Sequence, residues 1–224
     1  MTTLYLVRHG ITAQNLEHRM QGLTDAPLCA EGERQLPYLA AFFEQIPLQA
    51  VFCSPYRRTI QTASAVAAAC GLPLQFKSDL RERSAGDYEG YRVDDLVKTL
   101  GLESRKGGPR YPIRFELPTA EPICNVYARM STVLREILEE YQGKSVAVVS
   151  HGMALQMAIA FLMGTPLKEY QSFPLPNCSV CKVLFKENRA DFEYIGKVDF
   201  IPQDLLRVNQ IDRKEIRQNG SERF

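Results

Sequence analysis

Leu4-Tyr5-Leu6-Val7-Arg8-His9-Gly10-Ile11-Thr12 begins as a buried strand and ends as a binding turn. Four consecutive apolar residues suit a strand covered on both faces, and they stop at a cation, an imidazole and a glycine. In open α/β sheets, ligands collect outside the carboxyl ends of the strands. Gly10 has no Cβ to hold the backbone away from a ligand, so an anion fits beside Arg8 and His9.

A second strand-His-Gly stands at Ser145-Val146-Ala147-Val148-Val149-Ser150-His151-Gly152 and runs into an apolar helix that Gly164 stops. Between the two, the short strand Ala50-Val51-Phe52-Cys53 leads into Ser54-Pro55-Tyr56-Arg57-Arg58-Thr59-Ile60-Gln61-Thr62-Ala63. Ser54-Pro55 reads as the cap and first turn of an Ala-rich helix closed by Gly71. A helix starting just past a strand presents free N–H groups and its positive dipole end, to which Arg58 adds a fork for phosphate oxygens. At least one of Arg57 and Arg58 is expected at the surface. A further strand is expected at 74–77, and Leu80-Arg81-Glu82-Arg83 follows it. A carboxylate between two arginines reads either as a salt-bridged surface residue or as a general acid.

The loop 12–28 carries Asn15, His18, Arg19 and Gln21. Polar residues after a strand end put Asn15 and Arg19 at the pocket mouth that His9 faces, with His18 a solvated loop residue. Helices are expected at 31–46, where Pro37 should kink the helix or delay its start, and at 93–100 and 123–141. Two final strands, 177–185 and 191–196, meet across the polar turn 187–190. Residues 103–114, with Arg105, Lys106 and Arg110 among glycines and prolines, form an irregular basic stretch that reads as a lid. The chain is expected to be one domain over 1–224, with an insertion or lid at about 91–122. A charged tail from about 202 should be at least partly disordered beyond Arg213.

Lys and Arg number 27 against 26 Asp and Glu, a balance that gives no support to a nucleic-acid or membrane-surface partner. Arg8 interrupts the first apolar run after four residues, unlike a secretory signal, and the apolar stretch 153–163 contains Gln156 and is too short to span a bilayer. Six cysteines, widely spaced and mostly among apolar neighbours, suit reduced thiols in a cytoplasmic protein. Cys178-x-x-Cys181 lacks a second pair, and residues three apart on a strand point to opposite faces, so both read as core. The expected state is a monomer or a homodimer.

Two histidines and two arginines after strands, with one carboxylate, are sufficient for metal-free cleavage of a phosphate ester. A neutral imidazole is a competent nucleophile, arginines neutralise phosphoryl oxygens, and a protonated carboxyl can donate to the leaving oxygen. The chain resembles the histidine phosphatase superfamily, which includes the cofactor-dependent phosphoglycerate mutases. The resemblance rests on Arg8-His9-Gly10-x-Thr12 with Asn15, Gln21-Gly22, Asp25-x-Pro27-Leu28, Gly32 and Gln35. It continues through Ser54-Pro55 to Arg58-Thr59-x-Gln61-Thr62-Ala63, Leu80-x-Glu82, Gly86-x-Tyr88-Glu89-Gly90 and Val149-Ser150-His151-Gly152. Two departures are Cys29, where a capping Thr is common, and Ala120-Glu121-Pro122 in place of Gly-Glu-Ser.

The resemblance implies a three-layer α/β sandwich with a mixed, mainly parallel sheet and helices on both faces. It implies His9 as the nucleophile, with Arg8, Arg58 and His151 binding the phosphoryl group, Asn15 and Gln21 assisting, and Glu82 as proton donor and then base. Neither metal nor other cofactor is implied, and the partner is a small phosphorylated metabolite. Three activities compete: a phosphatase for small phosphomonoesters, a phosphoglycerate mutase, and a non-catalytic phospholigand-binding module. The run Arg83-Ser84-Ala85-Gly86-Asp87-Tyr88-Glu89-Gly90 resembles the phosphatase branch more than the His-Tyr-Gly type run of mutases.

Overall fold

The computed structural model describes residues 1–99, 117–169, 173–187 and 189–206. Six strands, β1 Thr2–Arg8, β2 Ala50–Cys53, β3 Leu74–Phe76, β4 Ser145–Ser150, β5 Val180–Lys186 and β6 Arg189–Lys197, form one sheet. Their order is β3-β2-β4-β1-β5-β6, in which the first four are parallel and β5 and β6 run antiparallel to their neighbours. The helices are α1 Ala13–Leu16, α2 Ala30–Glu44, α3 Arg57–Cys70, α4 Val93–Thr99, α5 Ile123–Glu140 and α6 Gly152–Leu162.

Strand periodicity sorts the apolar runs into two cores. Leu4, Leu6, Phe52, Val146 and Val148 pack with Met130, Leu134 and Ile137 of α5 and Leu155 and Ile159 of α6. On the other face Tyr5, Val7, Val51, Cys53, Ala147 and Val149 meet Leu39 and Phe43 of α2 and Ala63, Val66 and Ala67 of α3. The result is the expected mixed sheet between helical layers. Among the described residues, no helix is long and apolar enough to cross a membrane.

Several local expectations are corrected by tertiary partners. The loop after β1 contains the short helix α1, closed by a capping box between Thr12 and Asn15. Helix α2 starts at Ala30 and continues through Pro37, so the proline does not delay it. Its start is set by Cys29, whose N–H and thiol both donate to the Ile11 carbonyl, at 3.0 and 3.4 Å, without a side-chain cap. Helix α3 begins at Arg57 after Tyr56, not at Ser54. Ser54 is buried, and Asp25 Oδ1 instead accepts the Arg57 N–H at 2.7 Å. Gly71 closes this helix in the left-handed conformation, as its sequence position implies.

Strand β5 starts at Val180 rather than 177, because 177 and 178 form a turn that returns to β1. Strand β6 starts at Arg189, which pairs with Lys186, so the expected turn 187–190 is shorter. Cys178 and Cys181 lie in opposite cores as free thiols, and burial pushes each up to about 12. The basic stretch 103–114 and the tail beyond 206 lie outside the described residues, as do 100–116 of the expected insertion.

Backbone meets backbone where α2 crosses the turn after β1. A Cβ on Gly32 would stand 2.1 Å from the Ile11 carbonyl oxygen. Gly32→Ala therefore forces helix and turn apart, and it is expected to cost about 1–3 kcal/mol of stability by chemical denaturation. Gly71→Ala offers a comparison without a packing clash, since no neighbouring atom lies within 4 Å of its Cβ position.

Candidate active site

Parallel pairing brings the separate motifs to one edge of the sheet. Arg8 of β1 is in register with Ser150 of β4, so His9 and His151 emerge side by side, with ring centroids 5.3 Å apart. Cys53 of β2 pairs with Val149 and with Phe76 of β3, which delivers Ser54, Arg58 and the segment leading to Glu82 to the same edge. This edge is the carboxyl end of all four parallel strands.

The turn after β1 is held at every amide from 8 to 12. Arg8 N donates to Ser179 O, His9 N to Ser150 O, Gly10 N to Thr62 Oγ1, Ile11 N to Gln35 Oε1 and Thr12 N to Asn15 Oδ1. The carbonyls are held as well: Cys178 N donates to Arg8 O and His9 O, and Asn177 Nδ2 to His9 O, Gly10 O and Asn15 Oδ1. His9, only 3% exposed, places Nδ1 2.7 Å from the Gly10 carbonyl oxygen. That oxygen can only accept, so the proton resides on Nδ1 and the lone pair on Nε2. Burial, then the charges of Arg58 and Arg8, hold the imidazole pKa well below 6.5.

His151 has the opposite tautomer. Arg58 Nε donates to its Nδ1 at 3.1 Å, so Nε2 carries the proton and donates to Ser54 Oγ at 2.9 Å. Burial, then the charge of Arg58, keeps this ring's pKa well below 6.5 as well. Arg58 is fully buried; Nη1 donates to Thr24 O at 2.6 Å and Nη2 to Gly22 O at 3.0 Å, while the Tyr56 ring lies beneath the guanidinium. Glu89 steadies that loop by accepting from Leu23 N at 2.9 Å and Thr24 Oγ1 at 3.1 Å. Arg57 is exposed, so it is the surface member of the pair.

Glu82 does not pair with its flanking arginines. Its Oε1 accepts from Arg83 N at 2.8 Å and Ala154 N at 3.0 Å, and its Oε2 from Met153 N at 3.1 Å. The carboxyl thus sits on the amino end of α6, where it accepts from N–H groups that have no partner within the helix. Arg81 pairs with Asp79 and Glu121, and Arg83 Nε donates to the Glu121 carbonyl at 2.7 Å. Arg8 crosses the same helix end, its guanidinium carbon 3.6 Å from the position of a Cβ on Gly152, and donates to the Leu175 carbonyl.

Asn15 spends its carbonyl oxygen on Thr12 and Asn177, leaving its amide N–H groups as donors. Gln21 lies on the loop that grips Arg58, with a buried Oε1 that has no hydrogen-bond partner among the described residues. Arg19 is tied to Glu17 at 2.6 Å and to the Gly90 carbonyl at 2.7 Å, so it joins two loops. The motifs single out neither Asn177 nor Arg129, and Ser54-Pro55 reads in the sequence as a helix cap. A lone polar residue within an apolar context, as at Asn177, was the available signal.

Both histidines are neutral in the folded chain, with pKa values depressed below the unfolded value near 6.5. Below that value the unfolded chain binds more protons than the folded one, so their contribution to stability is complete above pH 6.5 and is lost as pH falls towards the folded pKa values. His151→Gln is expected to flatten the fall in unfolding free energy between pH 7 and 5 relative to the parent. In ¹⁵N spectra, His9 should remain the neutral Nδ1–H tautomer at pH 6.

The chain is 33% identical over 193 residues to the probable phosphoglycerate mutase GpmB of Salmonella arizonae, covering 84% of this chain and 87% of that one. Among solved structures, Bacillus stearothermophilus YhfR superposes with a TM-score of 0.80 at 29% identity, covering 90% of this chain and 100% of YhfR. A phosphoglycerate mutase from Bacillus anthracis superposes at 0.74 with 26% identity, covering 89% and 94%. The family model of branch 1 matches residues 4–197, which span every group described at this sheet edge. The chain belongs to the histidine phosphatase superfamily, branch 1.

Proposed function

We propose that the protein is a phosphatase for small phosphate monoesters that works through a phosphohistidine at His9. The observation that carries this reading is the tautomer of His9: Nδ1–H is committed to the Gly10 carbonyl, so a neutral Nε2 lone pair is available beside two guanidinium groups. Nε2 attacks phosphorus, the phosphorus–oxygen bond to the alcohol breaks, and Glu82 gives its proton to the departing oxygen. The Gly10 carbonyl then faces a ring made more positive by the new nitrogen–phosphorus bond. Arg8, Arg58 and His151 hold the phosphoryl oxygens, with Asn15 and Gln21 at the rim. Since both His151 nitrogens are engaged, His151 exchanges one internal partner for the ligand.

In the second half, Glu82, now a carboxylate held by three backbone N–H groups, takes a proton from water. The water oxygen attacks phosphorus, the bond to Nε2 breaks, and inorganic phosphate leaves. Arg8 and Arg58 supply the charge stabilisation, so this route calls on no metal. The run Arg83 to Gly90, unlike the mutase type, favours hydrolysis. A phosphoglycerate mutase is the second reading, favoured by the name of the Salmonella relative. The protein is proposed to act in the cytoplasm as a monomer or homodimer, with 1–224 forming one domain.

The fate of the phosphoenzyme separates the two. A mutase keeps water from the phosphohistidine until a bound acceptor takes the group, whereas a phosphatase admits water. Rapid-quench labelling with a radioactive phosphomonoester is expected to show decay on the timescale of turnover without acceptor, with phosphate and alcohol released in equal amounts. His9→Ala should show neither labelling nor turnover. A long-lived label discharged only by phosphoglycerate, with bisphosphate-dependent isomerisation outrunning hydrolysis, would replace this assignment by the mutase. Glu82→Gln is expected to lose about 10²–10⁴-fold in rate on alkyl esters and much less on aryl esters, whose leaving groups need less protonation.

A further inference from the structure

We infer that the buried Arg129 and the half-buried Glu121, beside the site but touching neither histidine, form a device that positions Glu82; the inference rests on Glu82 being the proton donor. Arg129 projects from α5 and is only 9% exposed. All five of its N–H groups are used. Nε donates to Glu121 Oε1 at 2.8 Å and Nη2 to Glu121 Oε2 at 2.9 Å, a two-pronged ion pair. The other donors all go to the backbone leading into Glu82: Nη1 to Asp79 O at 2.7 Å and Arg81 O at 2.6 Å, and Nη2 to Glu82 O at 3.1 Å.

The carbonyls of 79, 81 and 82 belong to the 3₁₀ turn Ser78–Leu80 and the irregular residues after it, which no strand ladder holds. One guanidinium ties three of them to α5, and Ser150 Oγ ties the fourth, Leu80 O, to β4 at 2.7 Å. Glu121 fixes the guanidinium in turn. Burial would raise the Glu121 pKa, but the hydrogen bonds and charge of Arg129, with Arg81, hold it below the usual carboxylate value. Glu121 Oε2 also accepts from Ser84 N at 3.4 Å, so one carboxylate braces the chain on both sides of Glu82. Glu82 is therefore held at two ends, its backbone by Arg129 and its carboxyl by the amino end of α6. A guanidinium is suited to this because it bridges several planar acceptors at once, which the single ammonium of lysine does not.

The test compares alkyl and aryl phosphate turnover in the parent, Glu82→Gln, Arg129→Lys and Arg129→Met, with thermal melting of each. Arg129→Lys keeps a charge opposite Glu121, and the double variant Glu121→Gln/Arg129→Met removes both charges, so a fold lost through an unpaired buried ion is avoided. Arg129→Lys and the double variant are expected to reproduce the leaving-group signature of Glu82→Gln in attenuated form. Alkyl kcat should fall about 10²-fold, as a displacement of the reacting group by about 1 Å can cost, with aryl kcat and both KM values little changed. Ile137→Val, a core change in the same helix, should lower the melting temperature without altering the alkyl-to-aryl ratio. If Glu82→Gln shows the signature and the folded Arg129 variants keep the parent ratio, or lose both activities equally, the positioning role is overturned. If Glu82→Gln itself loses both equally, it is the proton-donor reading that fails.

Discussion

The Gly10 carbonyl oxygen facing His9 Nδ1 at 2.7 Å determines the state on which the site depends. An oxygen that can only accept fixes the tautomer, and a fixed tautomer leaves the other nitrogen unprotonated. The carbonyl can do this only if the turn cannot rotate, and its amides from 8 to 12 are all spent on partners from β4, α1, α2, α3 and the 177–179 turn. Buried backbone groups must be paired, so each of these bonds is costly to break and the turn has few alternatives. Thr62 and Gln35, which hold the amides of Gly10 and Ile11, belong to the site for this reason.

Charge completes the picture. Arg58 is fully buried, and among the described residues it forms no salt bridge; its donors go to the neutral carbonyls of Gly22 and Thr24 and to a neutral imidazole. A buried cation whose hydrogen bonds all go to neutral groups is not directly neutralised by an ion pair and keeps a field in the site. The same field, after burial, is what depresses the pKa of both histidines. On the far side, the amino end of α6 holds the Glu82 carboxyl through backbone N–H groups, so a single cluster contains buried positive charge and a separately seated carboxyl.

Rigid elements support these parts. His9, Ser54 and His151 follow strands directly, whereas Glu82 follows a 3₁₀ turn beyond the edge strand β3 and has no ladder of its own. Its segment is anchored through Arg129 on α5, a helix that also buries Leu134 and Ile137 in the core. Glu121, whose neighbours Ala120 and Pro122 depart from the family pattern, is the counter-ion of that anchor.

Much of this was legible in the sequence because it depends on local pattern. Apolar runs of four to six residues ending at Arg8-His9-Gly10 and Ser150-His151-Gly152 announce buried parallel strands whose carboxyl ends carry ligands, and Gly71 marks the end of α3. The ordered motifs disclosed the family and the sheet with helices on both faces. Only the tertiary structure decided which polar groups face one another. Ser54 reads locally as a helix cap, but strand pairing buries it against His151. Asn177 reads as the start of a strand, yet its amide is needed by carbonyls 168 and 167 residues away in the chain. Arg129 reads as an ordinary polar position on an amphipathic helix, while its five donors close on acceptors at 79, 81, 82 and 121. Periodicity specifies which face of an element is buried; the partner of a buried polar atom is specified by packing between distant elements, and no local pattern encodes it.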